Sequence, residues 1–113
     1  MTHPSLETTP ADVARALHDG DAQVVDVREP YEWEAGRIAG TRHVAMAQLR
    51  EQAGSLDPAR PLVFVCRVGG RSLVAAQAFR RAGFDAWSMA GGMVRWEAEG
   101  RPIDPEGGTV APH

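Results

Sequence analysis

The chain has 113 residues, a length for one domain that buries about 60 to 70% of the surface its unfolded form exposes. Its 43% hydrophobic and 24% charged residues are those of a globular protein rather than a disordered one, and its single cysteine excludes an intramolecular disulfide or a Cys-x-x-Cys pair. A formal charge of -3, with Arg80-Arg81 as the longest basic run, leaves no electrostatic footprint for nucleic acid or an anionic membrane surface.

Met1 to Pro10 carry neither the positive region nor the apolar core of a secretory signal. No apolar run approaches the roughly 20 residues that span a bilayer. A soluble, unexported protein of the reducing cytoplasm is expected. Thr9-Pro10-Ala11-Asp12 reads as an N-cap, a proline at the first helical position and an acidic third residue, so a helix starts there. Val13, Ala16 and Leu17 share its apolar face, and Gly20 stops it. Gln23 to Val27 is short and β-branched, a buried strand interrupted by the charge of Asp26. A buried carboxylate needs a partner, and Arg28 or a nearby amide is in reach.

Pro30 to Ala35 supports one or two helical turns ending at Gly36; Glu29, Glu32 and Glu34 make this stretch acidic, and Trp33 is expected as a core anchor. His43 precedes Val44 in a small strand. Neither His43 nor the scattered His3, His18 and His113 has a second ligand at metal spacing, so no metal is expected. Met46, Leu49 and Ala53 mark one face of a helix ended by Gly54, and Asp57 to Pro61 form a turn.

The next stretch carries the chemistry. An apolar strand, Leu62 to Val65, runs into Cys66-Arg67-Val68-Gly69-Gly70-Arg71-Ser72 and then into a helical pattern with Ala75, Ala78, Phe79 and Ala82 on its apolar face. A strand, a glycine-containing turn and a helix start aim successive backbone N–H groups at one spot, where the positive helix end favours an anion. A lone cysteine ending a strand is commonly an inert core residue. Two flanking arginines and two glycines argue against that role, because they supply positive charge and close backbone approach. Cys66 is therefore expected as a thiolate that needs no general base. Gly83 ends the helix, Asp85 to Met89 forms another strand, and Gly91-Gly92 turns into a helix with Met93 and Trp96 inward. From Arg101 onward, prolines and glycines break regular structure, and the tail is expected to cross the surface or be disordered.

Cys66-Arg67-Val68-Gly69-Gly70-Arg71 resembles the six-residue active loop of the rhodanese-like sulfurtransferases. Asp26-Val27-Arg28-Glu29, Glu32-Trp33 and Gly36-Arg37-Ile38-Ala39-Gly40-Thr41 resemble the family's Asp-Val-Arg stretch and its following Gly-His-Ile-x-Gly-Ala segment, with Arg37 in place of the usual histidine. Met89-Ala90-Gly91-Gly92, Trp96, Gly100 and Pro102 resemble its C-terminal signature. The resemblance spans residues 9 to 102 in the family's order. It implies an α/β fold, one rhodanese-like domain over 1–113 with its core at about 9–102 and a tail at 103–113, built on a mainly parallel sheet of about five strands with helices on both faces.

It also implies a mechanism. Cys66 takes a sulfane sulfur from thiosulfate or a similar donor as a persulfide and passes it to cyanide or a thiol, with no cofactor. Arg67, Val68, Gly69, Gly70, Arg71 and Ser72 form the substrate-binding loop. Asp26 and Arg28 fit either a structural ion pair or a support beside that loop. Three other readings stand. A sulfur carrier would deliver the persulfide to an acceptor protein. A cysteine phosphatase or arsenate reductase would have five residues between cysteine and arginine, where this loop has four. A Cys-His hydrolase would need an imidazole beside Cys66.

Overall fold

The computed structural model describes residues 6–113, so residues 1–5, half of the segment read above for a secretory signal and the position of His3, lie outside it. Five short strands are present: Glu7–Thr8 (β1), Gln23–Asp26 (β2), Arg42–His43 (β3), Leu62–Val65 (β4) and Ala86–Met89 (β5). All neighbouring pairs are parallel, in the order β1-β5-β4-β2-β3, which puts β4 at the centre. The helices Pro10–Asp19 (α1), Pro30–Ala35 (α2), Leu49–Gln52 (α3), Gly70–Arg81 (α4) and Gly92–Ala98 (α5) alternate with the strands. Among the described residues, no helix is long and apolar enough to cross a membrane.

The local signals act as their chemistry dictates. Thr9 Oγ1 accepts the Asp12 N–H at 3.1 Å, Pro10 occupies the first turn, and Gly20 closes α1 with a φ of 71°. Strand periodicity then sorts the core into two layers. Val25, Leu62, Phe64, Cys66 and Ala86 pack with Leu49 of α3 and with Ala75, Ala76 and Phe79 of α4. On the opposite face, Val24, Val63, Val65 and Met89 pack with Val13 of α1 and with Met93 and Trp96 of α5. Every residue of β4 is buried, as the central strand of a sheet covered on both faces requires.

Several expectations change. β1 escapes the sequence reading because two residues show no periodicity; it is held by the Leu6 carbonyl accepting Ser88 N–H at 2.7 Å and by the Thr8 carbonyl accepting Ala90 N–H at 2.8 Å. The buried face of α4 is Ser72, Ala75, Ala76 and Phe79, while Ala78 and Ala82 are exposed. Gly54 does not end a continuous helix. It sits inside a 3-10 turn, Ala53–Ser55, that follows α3, and a second 3-10 turn, Met46–Gln48, precedes it. Trp33 is half-buried rather than a core residue, stacked on His43 with ring centroids 4.9 Å apart and covered by Arg37.

The tail is irregular yet pinned. Trp96 Nε1 donates to the Pro102 carbonyl at 2.8 Å, Arg37 and Asp104 exchange backbone hydrogen bonds at 2.9 and 2.7 Å, and Thr109 N–H donates to the Ala35 carbonyl at 2.8 Å. Tyr31 Oη reaches the Pro112 carbonyl at 3.0 Å, so the tail runs along α2.

One glycine of the second pair bears directly on the loop after β4. Gly92 has a φ of +57°, and a Cβ there would lie 2.5 Å from the carbonyl oxygens of both Cys66 and Arg67. These oxygens accept N–H groups of α5: Met93 to Cys66 at 2.9 Å, and Val94 to Arg67 at 3.0 Å. Gly92→Ala is expected to cost about 1–3 kcal/mol from backbone strain, with displacement of the loop added. Thermal melting should show a fall of at least about 4 °C, whereas Gly20→Ala, with a positive φ but open space around it, should lose less.

Candidate active site

Cys66 leaves the carboxyl end of β4 on the same face as Leu62 and Phe64, which directs its side chain toward α4. It is 0% exposed. Its Sγ lies 3.1 Å from the Gly69 amide, 3.4 Å from the Ser72 amide and 3.3 Å from Ser72 Oγ. Gly69 makes this turn possible: its φ of 106° is open to glycine and strained for other residues. The first helical bond of α4 is Leu73 N–H to the Gly69 carbonyl at 3.1 Å. Amides of Gly70, Arg71 and Ser72 therefore precede the helical ladder and stand at the positive end of the helix, and of these the Ser72 amide meets the sulfur.

Ser72 Oγ is buried and also lies 3.2 Å from the Gly69 carbonyl and 2.7 Å from Ser88 Oγ. Ser88, on β5, is a residue the sequence reading missed; a lone serine in a short strand carries no signal of its own. Val68 stands at the opposite extreme, 57% exposed on the rim of the loop.

The two loop arginines part company. Arg71 Nη1 and Nη2 donate to the two carboxylate oxygens of Glu32 at 2.8 and 3.0 Å. Glu32 is completely buried and accepts the Glu29 N–H at 2.9 Å as well. Burial opposes the Glu32 charge, but Arg71 and the Glu29 amide outweigh it and hold this carboxyl below its ordinary value of 4.5. Hydrogen bonding to Glu32 raises Arg71 against its own burial, with Cys66 and Asp26 adding in the same direction. Glu32 was legible as part of an acidic stretch and of the family resemblance, but its pairing with Arg71 was not, because that partner is 39 residues away. Arg67, by contrast, is half-buried, and its Nε is enclosed with no hydrogen-bond partner.

Asp26 and Arg28, both fully buried, form a paired carboxylate and guanidinium at 2.8 to 3.0 Å. The Arg28 amide also donates to Asp26 at 3.0 Å, so both expected partners are used. Arg28 continues to the Gly36 carbonyl at 2.7 Å, tying β2 to the end of α2. His43 places Nε2 2.7 Å from the Arg28 carbonyl and its ring against Trp33, so that imidazole is engaged away from the sulfur. Among the described residues, no group of three or more His, Cys, Asp or Glu side chains is placed to hold a metal.

The chain is similar to known proteins over most of its length. A model of the rhodanese-like domain matches residues 9–99. Thiosulfate sulfurtransferase GlpE from Pseudomonas aeruginosa (strain LESB58) is 38% identical over 98 residues, 86% of this chain and 88% of that protein. A rhodanese-related protein from Thermoplasma volcanium superposes with a TM-score of 0.79 at 29% identity, covering 89% of this chain and 97% of that one. A rhodanese-like domain protein from Staphylococcus aureus gives 0.74 at 26% identity, over 80% of this chain and 89% of its own.

The Glu32–Arg71 pair has a pH signature. A carboxyl held low in the folded state stabilises the fold above its unfolded value, near 4.5, and that contribution is lost as pH falls through the folded value. Glu32→Gln is expected to cost about 1–3 kcal/mol at pH 7, since Arg71 is left without its counter-charge. In denaturant titrations across pH, the gap between variant and wild type should be constant above about pH 5 and close as the pH falls further.

Proposed function

The chain belongs to the rhodanese-like family of sulfurtransferases, and we propose that it moves sulfane sulfur through a persulfide on Cys66. The observation that carries this reading is the sulfur itself, met by the amides of Gly69 and Ser72 at the start of α4. Donors so placed favour a negative charge on sulfur, which is the nucleophile in thiol chemistry.

The Cys66 thiolate attacks the outer sulfur of thiosulfate. The S–S bond of the donor breaks, sulfite leaves with the electron pair, and Cys66 retains a persulfide anion. No proton moves. Cyanide or a thiolate then attacks the terminal sulfur and returns Cys66 to the thiolate, giving ping-pong kinetics. Amides of Gly69, Gly70 and Arg71 line the loop in which the terminal sulfur would sit, with Val68 at its mouth. Arg67, whose enclosed Nε lacks a partner, is the cation for the incoming dianion. Arg71 holds the loop through Glu32 and contributes its field at Cys66. The small-molecule donor and acceptor require neither metal nor cofactor in this scheme, and a free thiol of this kind suits a reducing cytoplasm.

Intact-protein mass spectrometry after incubation with thiosulfate should reveal the mass of one added sulfur, absent in Cys66→Ala and removed by reductant. A Cys66→Ala variant that retains full transfer activity would end the proposal. Arg67→Ala should raise the thiosulfate KM by about ten-fold or more with little change in kcat in steady-state assays. An aryl phosphate should not turn over, because four residues between Cys66 and Arg71 make a smaller loop than the five of the oxyanion-binding enzymes. Persulfide loading with slow cyanide turnover would point instead to delivery to an acceptor protein.

A further inference from the structure

Ser88 lies in β5, in register with Phe64 of β4, and is completely buried. It shares its face of the sheet with Ala86, Leu62 and Phe64, an apolar layer in which a hydroxyl is costly unless hydrogen-bonded. Its oxygen lies 2.7 Å from Ser72 Oγ, and Ser72 Oγ lies 3.3 Å from Cys66 Sγ and 3.2 Å from the Gly69 carbonyl. Each hydroxyl carries one proton, and proton counting constrains how this row is wired. A Cys66 thiol can donate to Ser72 Oγ, leaving Ser72 to turn its proton toward Ser88 or Gly69. An anionic sulfur only accepts. In the contact between them Ser72 is then the donor, with the Gly69 carbonyl at 3.2 Å as the competing acceptor, and Ser88 is the group placed to donate to Ser72 Oγ. That donation withdraws Ser88 as a competing acceptor and polarises the Ser72 O–H toward the sulfur.

We propose that Ser88 is a positioning residue for sulfur transfer, acting through Ser72 to keep a hydroxyl proton directed at the anionic sulfur of Cys66. This rests on the reading of Cys66 as the nucleophile. The charged groups around the loop lie on other elements than β5, and of these Arg71 interacts with Cys66. Arg71 of α4 is paired with Glu32 of α2, Asp26 with Arg28 on β2 and the segment after it, and Arg67 lies in the loop. From α5, backbone amides cap the loop carbonyls while Arg95 engages Glu99. Ser88 is thus separable from the charges by substitution.

Cys66 is the chain's one thiol, so its alkylation by iodoacetamide reads its ionisation whether or not sulfur is transferred. Alkylation rate against pH should move to higher pH in Ser88→Ala, with a rate about three- to ten-fold lower on the acid side. Ser88→Thr should restore the wild-type profile. In a Ser72→Ala background, Ser88→Ala should have no further effect. Ser88→Cys, nearly isosteric and a weak donor, should shift the profile in the same direction and keeps the test open should the alanine variant fail to fold; because it adds a second thiol, its alkylation is followed as the adduct on the Cys66 peptide by mass spectrometry. A Ser88→Ala profile superimposable on wild type, or a full effect persisting in the Ser72→Ala background, would overturn the inference even where the Cys66 persulfide forms. A shifted profile in a protein that takes up no sulfur would retire the transfer reading and uphold the Ser88 arrangement.

Discussion

A negative charge on a buried sulfur is expensive unless dipoles and hydrogen-bond donors meet it, and Cys66 is fully buried. A central parallel strand feeding directly into a helix answers that constraint, because it brings the unpaired first-turn amides of α4 to the point where β4 ends. The two apolar layers fix both elements, so these donors need not reorganise when charge develops. Gly69 allows the tight turn. Gly92 lets α5 approach from behind and cap the Cys66 and Arg67 carbonyls, whose dipoles would otherwise go unanswered. The loop is thus clamped on both sides by helix N-termini, one holding its sulfur and the other its carbonyl groups.

Charge around this centre is arranged in pairs rather than accumulated. Asp26 with Arg28 and Glu32 with Arg71 are each bidentate, and three of the four side chains are wholly buried. A guanidinium bound in this way is a strut first and a source of field second: the carboxylate fixes its orientation and offsets its charge, even where, as at Arg28 Nη1, one nitrogen is enclosed without a partner. The division of labour between the two loop arginines follows. Arg71 is oriented by a carboxylate whose charge burial opposes, while Arg67 keeps an enclosed N–H without a partner. The loop thus holds one guanidinium with an unpartnered N–H and one already committed to holding the loop.

Local chemistry was legible in the sequence wherever it acts over a few residues. Thr9 capping α1, Gly20 ending it, Pro30 opening α2 and the strand-loop-helix passage around Cys66 all follow from adjacent side chains and backbone freedom. Contacts joining distant segments were not. Glu32 meets Arg71 across 39 residues and Ser72 meets Ser88 across 16, and neither separation leaves a periodicity to detect. Alanine periodicity misassigned Ala78 and Ala82 to the core because alanine tolerates either side of a helix, and the neighbouring Ala76 took the inward place. Trp33 shows the same limit: a large aromatic predicts burial, but stacking on His43 under Arg37 satisfies it at the surface.

The tail brings the non-local argument to α2. Six residues are too few for a helix to persist by itself in water, so the position of Glu32 depends on what packs around α2. Arg71 holds it from the loop side; from the other, Thr109 bonds Ala35, Asp104 bridges Arg37, and Pro112 receives the Tyr31 hydroxyl. Gly36 marks how close this approach is, since a Cβ there would collide with the Thr109 carbonyl oxygen. The matched domain ends at residue 99, yet the segment beyond it holds the short helix that supplies the counter-charge of the active loop. Rigidity at Cys66 is therefore assembled from three directions: α4 at the sulfur, α5 at the carbonyls, and the tail acting through α2 on Arg71.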